Sequence, residues 1–256
     1  MDTRGEGDTL RIYYAGTENK SKIRLLQQHG INDFLVSYFH LRKSKDLALY
    51  ESLYSFLDSG GFTARKSGVD IDVVDYGKFI LANPFFKNYA NLDVSKTEVT
   101  LKNQATLESM GLHPIPVFHM DEWLRKDYDL FDSYIKKYPY IAIGGVAEGK
   151  FSRDLLNSYL DFVFYRTRDK IKVHGFGMTA IDLLKRYPFY SVDSTSWLAG
   201  GRYNFVMTLK GTDLKSSHEF RGLSNTEKDK RNIEATVKMT KFITDLWTKR
   251  GIQWKD

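Results

Sequence analysis

"SFLDSGGFTARKSG", residues 55–68, carries a short apolar run into Asp58, then two glycines, then a basic stretch. A tight turn needs one glycine, and here there are two. A carboxylate at the end of a strand has two ordinary uses. It can accept the free N–H groups of the next helix as a cap, or it can do chemistry. The stretch alone leaves both open. What weighs between them is whether the arrangement recurs along the chain.

It recurs. Short β-rich runs appear at "RIYYAG" (11–16), "DFLVSY" (33–38), "YSFLDSG" (54–60) and "YANLDV" (89–94). They continue at "PIPVFH" (114–119), "YIAIGG" (140–145), "KVHGFG" (172–177) and "YSVDST" (190–195). Helix-like stretches lie between them. In 152–169, Leu155, Leu156, Tyr159, Leu160 and Val163 fall on one helical face, with Ser152 as N-cap. The segment 179–188 is read as a short helix capped by Thr179 and stopped by Pro188. Residues 100–112 end a helix at Gly111. A long final helix is expected from 225 to 251, capped by Thr226 and ended by Gly251.

Strand then helix, eight times over, predicts a parallel sheet with crossover helices. Eight such units in about 250 residues is the size of a (β/α)8 TIM barrel. The expectation is therefore an α/β chain, one barrel domain over 1–256 with a C-terminal helix. An open doubly wound sheet is the alternative, but "YYAGTENK" after the first run is not a phosphate-binding glycine loop.

Composition narrows the function classes. The chain has no cysteine, which excludes disulfides and thiolate zinc sites and permits a reducing compartment. The opening "MDTRGEGDTL" has no apolar core of a signal peptide, and no apolar run approaches the roughly 20 residues of a membrane span. A cytoplasmic location is the expectation. The net charge of +6 is spread in small basic groups. It fits a polyanionic partner or an ordinary solvated surface.

In a barrel, chemistry gathers at the C-terminal ends of the strands. The polar residues expected there are Asp58, Asp93, His119, Gly144, Gly145, His174, Gly175 and Asp193. One such Asp is most often a cap. Three, with two histidines at equivalent places, favour a site. Paired carboxylates suit chemistry at an anomeric carbon, one as nucleophile and one as proton shuttle. The glycine pairs leave the rim short of side chains, so a flat base can lie against backbone, or they are tight turns. "HMDEW" (119–123) has no familiar metal-ligand spacing. Asp121 and Glu122 are placed in a first helical turn. The four tryptophans are read as core or rim residues, with Trp197 flagged for its closeness to Asp193.

Four motifs in this order, "LDSGGF" (57–62), "IGGVAEG" (143–149), "HGFGM" (174–178) and "YSVDSTSW" (190–197), resemble the tRNA-guanine transglycosylase superfamily. The likeness covers residues 54 to 200. It implies a (β/α)8 barrel that exchanges guanine for a 7-deazaguanine. Asp193 would be the nucleophile at C1′ and Asp58 the general acid/base. Asp93 would read the base's N–H edge. His119 would stand where the family commonly has a base-contacting Gln. Ser59, Gly60, Gly61, Gly144, Gly145, His174 and Gly175 would line the base pocket. Arg65, Lys66 and Arg202 would hold phosphates. The double displacement asks for no cofactor and no metal.

The departures point within the superfamily. The tRNA enzymes carry a three-Cys, one-His zinc module, and a chain without cysteine cannot. A compact, zinc-free barrel is most similar to the DNA-guanine transglycosylases of phages and bacterial modification islands. These place a preQ0-type base in DNA, in the host cytoplasm if phage-encoded. The resemblance leaves three alternatives: a zinc-free tRNA or RNA enzyme, a base-excising hydrolase, or a catalytically silent nucleic-acid-binding subunit. An accessory protein or a homo-oligomer is compatible with each.

Overall fold

A computed structural model describes residues 10–94, 96–146, 151–168, 170–218, 220 and 222–254. The end of the 143–149 motif, residues 147–149, lies outside these. The first half of the chain runs β1 (Arg11–Ala15), α1 (Lys20–Gln27), β2 (Asp33–Ser37), α2 (Tyr38–Leu41), β3 (Tyr54–Asp58), α3 (Gly61–Lys66), α4 (Val73–Ala82), β4 (Asn88–Tyr89) and α5 (Thr97–Ser109). The second half adds β5 (Val117–His119), α6 (Met120–Leu124), α7 (Tyr128–Lys137), β6 (Tyr140–Gly144), α8 (Arg153–Thr167), β7 (Lys172–Gly175), α9 (Ile181–Arg186) and β8 (Ser191–Ser194). Seven of the eight expected runs hold a strand; the fourth, 89–94, shares only Tyr89 with β4 and continues as loop.

These strands form one parallel sheet in the order β4-β3-β2-β1-β8-β7-β6-β5. The first strand pairs with the last, from Arg11↔Ser191 to Tyr14↔Ser194. Sequence neighbours are therefore spatial neighbours all along the sheet, without the reversal of order that marks a doubly wound fold. The sheet curls. Its outer strands β4 and β5 meet at a single parallel bridge, Ala90↔Ile115, rather than along a ladder. Two bonds make it: Ile115 N–H donates to Tyr89 O at 2.8 Å, and Asn91 N–H donates to Ile115 O at 2.9 Å. Pro114 and Pro116 flank Ile115 and have no N–H to extend it.

Alternation sorts the side chains into two cores. Inside the curl lie Tyr13, Ala15, Leu35, Phe56, Ala90, Ile115, Val117 and Ala142. Their sequence neighbours, such as Ile12, Leu57, Phe118, Ile141 and Val192, pack against the helices. By the same parity Asp58, His119, Gly144, His174 and Asp193 point to the inside. Each is the last or next-to-last residue of its strand, but His174 is level with Ser191, the first residue of β8.

Helix α8 begins as its sequence predicts, with Ser152 Oγ accepting from Leu155 N–H at 3.2 Å, and buries Leu156, Tyr159, Leu160 and Val163. Two caps differ from expectation. Helix α9 starts after Ala180, while Thr179 turns its hydroxyl to Ser194 Oγ at 3.4 Å. After β8 the chain adds α10 (Ala199–Tyr203), an antiparallel hairpin of β9 (Val206–Lys210) and β10 (Asp213–Ser217), and α11 (Asn225–Lys249). Helix α11 is capped by Ser224, not Thr226, because Ser224 and Glu227 exchange bonds as a capping box. No helix among the described residues is long and apolar enough to cross a membrane.

Trp197 is fully buried, and its Nε1–H donates to Ala15 O at 2.9 Å. It is a core residue that ties the turn after β8 to the end of β1. Replacing it by alanine removes both the packing and the bond. Trp197→Ala is expected to destabilise the fold by about 3–5 kcal/mol, read as a lower midpoint in urea unfolding.

Candidate active site

Asp58 ends β3, partly buried on the inside of the curl. Its Oδ2 accepts from Gly60 N–H at 3.0 Å, and Ser59 Oγ accepts from Gly61 N–H at 3.2 Å. Asp58 thus serves the turn into α3. It is also one of three carboxylates drawn together here. Burial pushes its carboxyl up, and the nearby Asp93 adds to this. The Gly60 N–H pulls it back, Asp193 raises it further, and it settles at about 7.

The glycine pair has a packing reason in the fold. Gly60 is left-handed at φ +74°, and a Cβ there would strike Ser37 Oγ and lie 2.6 Å from Phe39 Cβ. A Cβ on Gly61 would come within 2.8 Å of Asp93 O. The Ser37 and Phe39 side chains at Gly60 and the Asp93 backbone at Gly61 each require a glycine. Ser59 is buried against the turn and presents no surface to a ligand.

Asp93 lies in the loop after β4. Helix α5 pins that loop: Asn91 Nδ2–H donates to Thr100 O at 3.0 Å, Asn103 Nδ2–H to Leu92 O at 2.9 Å, and Val94 N–H to Thr100 Oγ1 at 2.9 Å. The Asp93 Oδ2 is 2.8 Å from His119 Nε2. Burial pushes the Asp93 carboxyl up, but the His119 bond and charge outweigh it and hold the group below its ordinary value. His119 is placed in turn by Glu122, whose Oε2 accepts its backbone N–H at 2.9 Å. Gly144 faces this ring, since a Cβ there would sit 3.2 Å from His119 Cδ2. Gly145, at φ +81°, packs on the start of α6. Arg65 joins His119 and Gly145 around a small cavity of about 110 Å³ and helps draw Asp93 down.

Asp193 sits in β8 with Oδ1 accepting from Gly177 N–H at 2.7 Å. The same oxygen is 3.6 Å from His174 Nε2. His174 is wholly buried, stacked on Phe56 with ring centroids 4.6 Å apart. Its Nδ1 is 2.8 Å from Ser191 Oγ, which is 2.6 Å from Tyr140 OH. His174 therefore does not wall an open pocket as expected. It lies beneath Asp193 at the end of a buried polar chain. Gly175 points away from the site, where a Cβ would strike Phe189 Cε1 at 2.6 Å.

Of the three expected phosphate contacts, Arg65 is at the site. Lys66 is exposed with Nζ 4.0 Å from the Phe62 ring centroid. Arg202 is exposed on α10, where its guanidinium approaches Gly16 just past the end of β1. The residues that sequence reasoning missed are Gly177, Ser191 and Tyr140. Strand parity marks Ser191 and Tyr140 as inward-facing. Nothing local marks Gly177. Among the described residues no group of three or more His, Cys, Asp or Glu is arranged to hold a metal ion. No protein-family model matches the chain, and no curated protein matches its sequence.

The site joins a carboxyl that changes charge near neutral pH to a second carboxylate fixed by a backbone N–H. That pair can move a proton and attack an electrophilic carbon. The native state holds the Asp58 proton more tightly than the unfolded chain does. Its contribution to stability is fully present below the ordinary 3.8 and is lost as pH rises through about 7. The gap corresponds to about 4 kcal/mol at most, reduced by solvent at the group's open side. Asp58→Asn never ionises. Its melting temperature relative to wild type is expected to climb between pH 4 and pH 8 in a calorimetric series. Gly60→Ala is expected to cost more than Gly30→Ala. Both glycines have positive φ, but Gly30 has nothing within 4 Å of its Cβ position. Chemical denaturation separates the clash at Gly60 from the backbone strain they share.

Proposed function

We propose that this chain is a guanine transglycosylase of (β/α)8 type, its curled sheet joined at its edges only by the Ala90–Ile115 bridge, exchanging guanine in DNA for a 7-deazaguanine of the preQ0 type. The observation that carries the reading is Asp58, raised to about 7 in company with Asp93 and Asp193. The motif resemblance supplies the substrate class.

In this mechanism the Asp193 carboxylate attacks C1′ and the C1′–N9 bond breaks. The bonding pair passes to guanine, which takes a proton from Asp58. A covalent glycosyl ester remains on Asp193. The incoming 7-deaza base gives its proton to Asp58, its nitrogen attacks C1′, and Asp193 leaves as carboxylate. Two inversions give net retention. A carboxyl near 7 suits both halves, because it is available in both forms at neutral pH. The Gly177 N–H orients Asp193, which lies above the buried His174. His119 holds one oxygen of Asp93, and the carboxylate would meet the base edge. The base must be turned out of the stack to reach the site. Arg65 is the cation placed to meet a flanking phosphate.

Label transfer tests the proposal. Wild type should incorporate tritiated guanine or preQ0 into duplex DNA, and Asp193→Ala should not. Asp58→Asn should slow exchange by about 10²–10⁴-fold, and the wild-type rate should carry a pH limb near 7. A parallel arm with tRNA separates the DNA and RNA readings. Release of free guanine without added base would mark a hydrolase. DNA binding with incorporation no greater than that of Asp193→Ala would overturn the enzyme and leave a binding subunit.

A further inference from the structure

Three polar side chains run beneath Asp193 inside the curl. Tyr140 opens β6, Ser191 opens β8 and His174 lies in β7 between them. Tyr140 OH is 2.6 Å from Ser191 Oγ, and Ser191 Oγ is 2.8 Å from His174 Nδ1. Ser191 and His174 are wholly buried. The rings of Tyr13, Phe56 and Phe176 pack around the imidazole, with centroids between 4.6 and 5.9 Å away. His174 Nε2 has no hydrogen-bond partner among the described residues, and it lies 3.6 Å from Asp193 Oδ1.

Each proton of this chain has one place. A phenol is a stronger donor than an aliphatic alcohol, and the alcohol oxygen is the better acceptor. Tyr140 O–H therefore donates to Ser191 Oγ. The Ser191 hydroxyl has no partner among the described residues apart from Tyr140 and His174, so its own proton goes to His174 Nδ1. In a neutral imidazole one nitrogen accepts and the other carries the proton. With Nδ1 accepting, the N–H is at Nε2 and faces the Asp193 carboxylate. At 3.6 Å the pair is longer than a hydrogen bond and acts as a dipole on a charge, strengthened by the dry surroundings. The reverse polarity fails twice. It leaves the Tyr140 O–H without an acceptor among the described residues, and it aims the bare Nε2 lone pair at a carboxylate oxygen.

We propose that Tyr140 and Ser191 lock His174 in its Nε2–H tautomer, which makes His174 a positioning residue for the Asp193 carboxylate. The tautomer stands on geometry alone, and its effect on exchange rests on the transglycosylase reading. In that reaction Asp193 loses its charge in the glycosyl ester and regains it when the incoming base displaces it. An N–H fixed beneath the carboxylate favours that departure.

Long-range proton–nitrogen NMR on the full-length protein, isotope-labelled at histidine nitrogen, separates a bare ring nitrogen from an N–H. The His174 signals, among those of six histidines, are assigned by their loss in His174→Gln. Wild type should show a bare Nδ1 and a protonated Nε2. Asp193→Ala should shift the Nε2–H signal. Tyr140→Phe removes only a hydroxyl and should mix in the Nδ1–H tautomer, and Ser191→Ala should do so by a second route. In label transfer, Tyr140→Phe should lower kcat by about tenfold and leave KM unchanged. A protonated Nδ1 in wild type, a tautomer unchanged in both variants, or an Nε2–H signal unmoved in Asp193→Ala would each overturn the proposal. Exchange by Tyr140→Phe at the wild-type kcat would overturn the role of His174 alone. If wild type exchanges no guanine, the transglycosylase reading falls and the NMR result decides the tautomer by itself.

Discussion

Tyr13 stands beside Asp193 because β1 pairs in parallel with β8. Everything in the candidate site depends on that pairing. Asp58 and Asp193 are 135 residues apart in sequence, and each lies at or next to the end of a strand from a different part of the chain. A parallel sheet sends all its strands the same way, so their C-terminal ends share one edge. Pairing the first strand with the last curls that edge inward. The inward parity of Asp58, His119 and Asp193 then becomes convergence on one space. Trp197 fastens the same seam from outside, through its bond to Ala15 O.

The three carboxylates are not equivalent, and their partners explain why. Asp93 has His119 against it and is held down. Asp193 has the Gly177 N–H. Asp58 has burial and two acidic neighbours, with backbone N–H groups as its relief. Charge among like groups in a confined space is resolved by letting one of them keep its proton. Here geometry selects Asp58, and this is the division of labour that a nucleophile and a proton shuttle need.

The glycines show how far local reading reaches. Two glycines after Asp58 announce an unusual turn, and the turn is there, with Gly60 left-handed. Their reason is long-range. Gly60 makes room for Ser37 at the end of β2 and Phe39 just after it, and Gly61 for the backbone of Asp93. Gly175 has the same kind of history, with Phe189 in place of a ligand. A sequence reports that a side chain is missing; it does not report what occupies the space. The buried position of His174 is hidden for the same reason, since an inward-facing residue on a strand can line a mouth or lie beneath it.

Much of the fold was legible in the residues themselves. Seven of the eight β-rich runs, the capped face of α8 and the final helix are local patterns of hydrophobic period and turn chemistry that appear where the chain writes them, while the run 89–94 keeps only Tyr89 in β4. The polar residues at the strand ends were legible too, because alternation and strand direction place them. The β9–β10 hairpin was not, since its strands are short and largely exposed and carry little apolar signal. The cap of α11 depends on a reciprocal bond between Ser224 and Glu227 that competes with a neighbouring Thr. The remainder belongs to tertiary structure: the single bridge next to β4 and β5, the 2.8 Å contact of His119 with Asp93, the hydrogen-bonded chain from Tyr140 to His174, and the raised carboxyl of Asp58. Hydrophobic period and turn preference act over a few residues and can be read along the chain. Burial, charge proximity and close backbone approach are properties of residues that meet only after the sheet has curled.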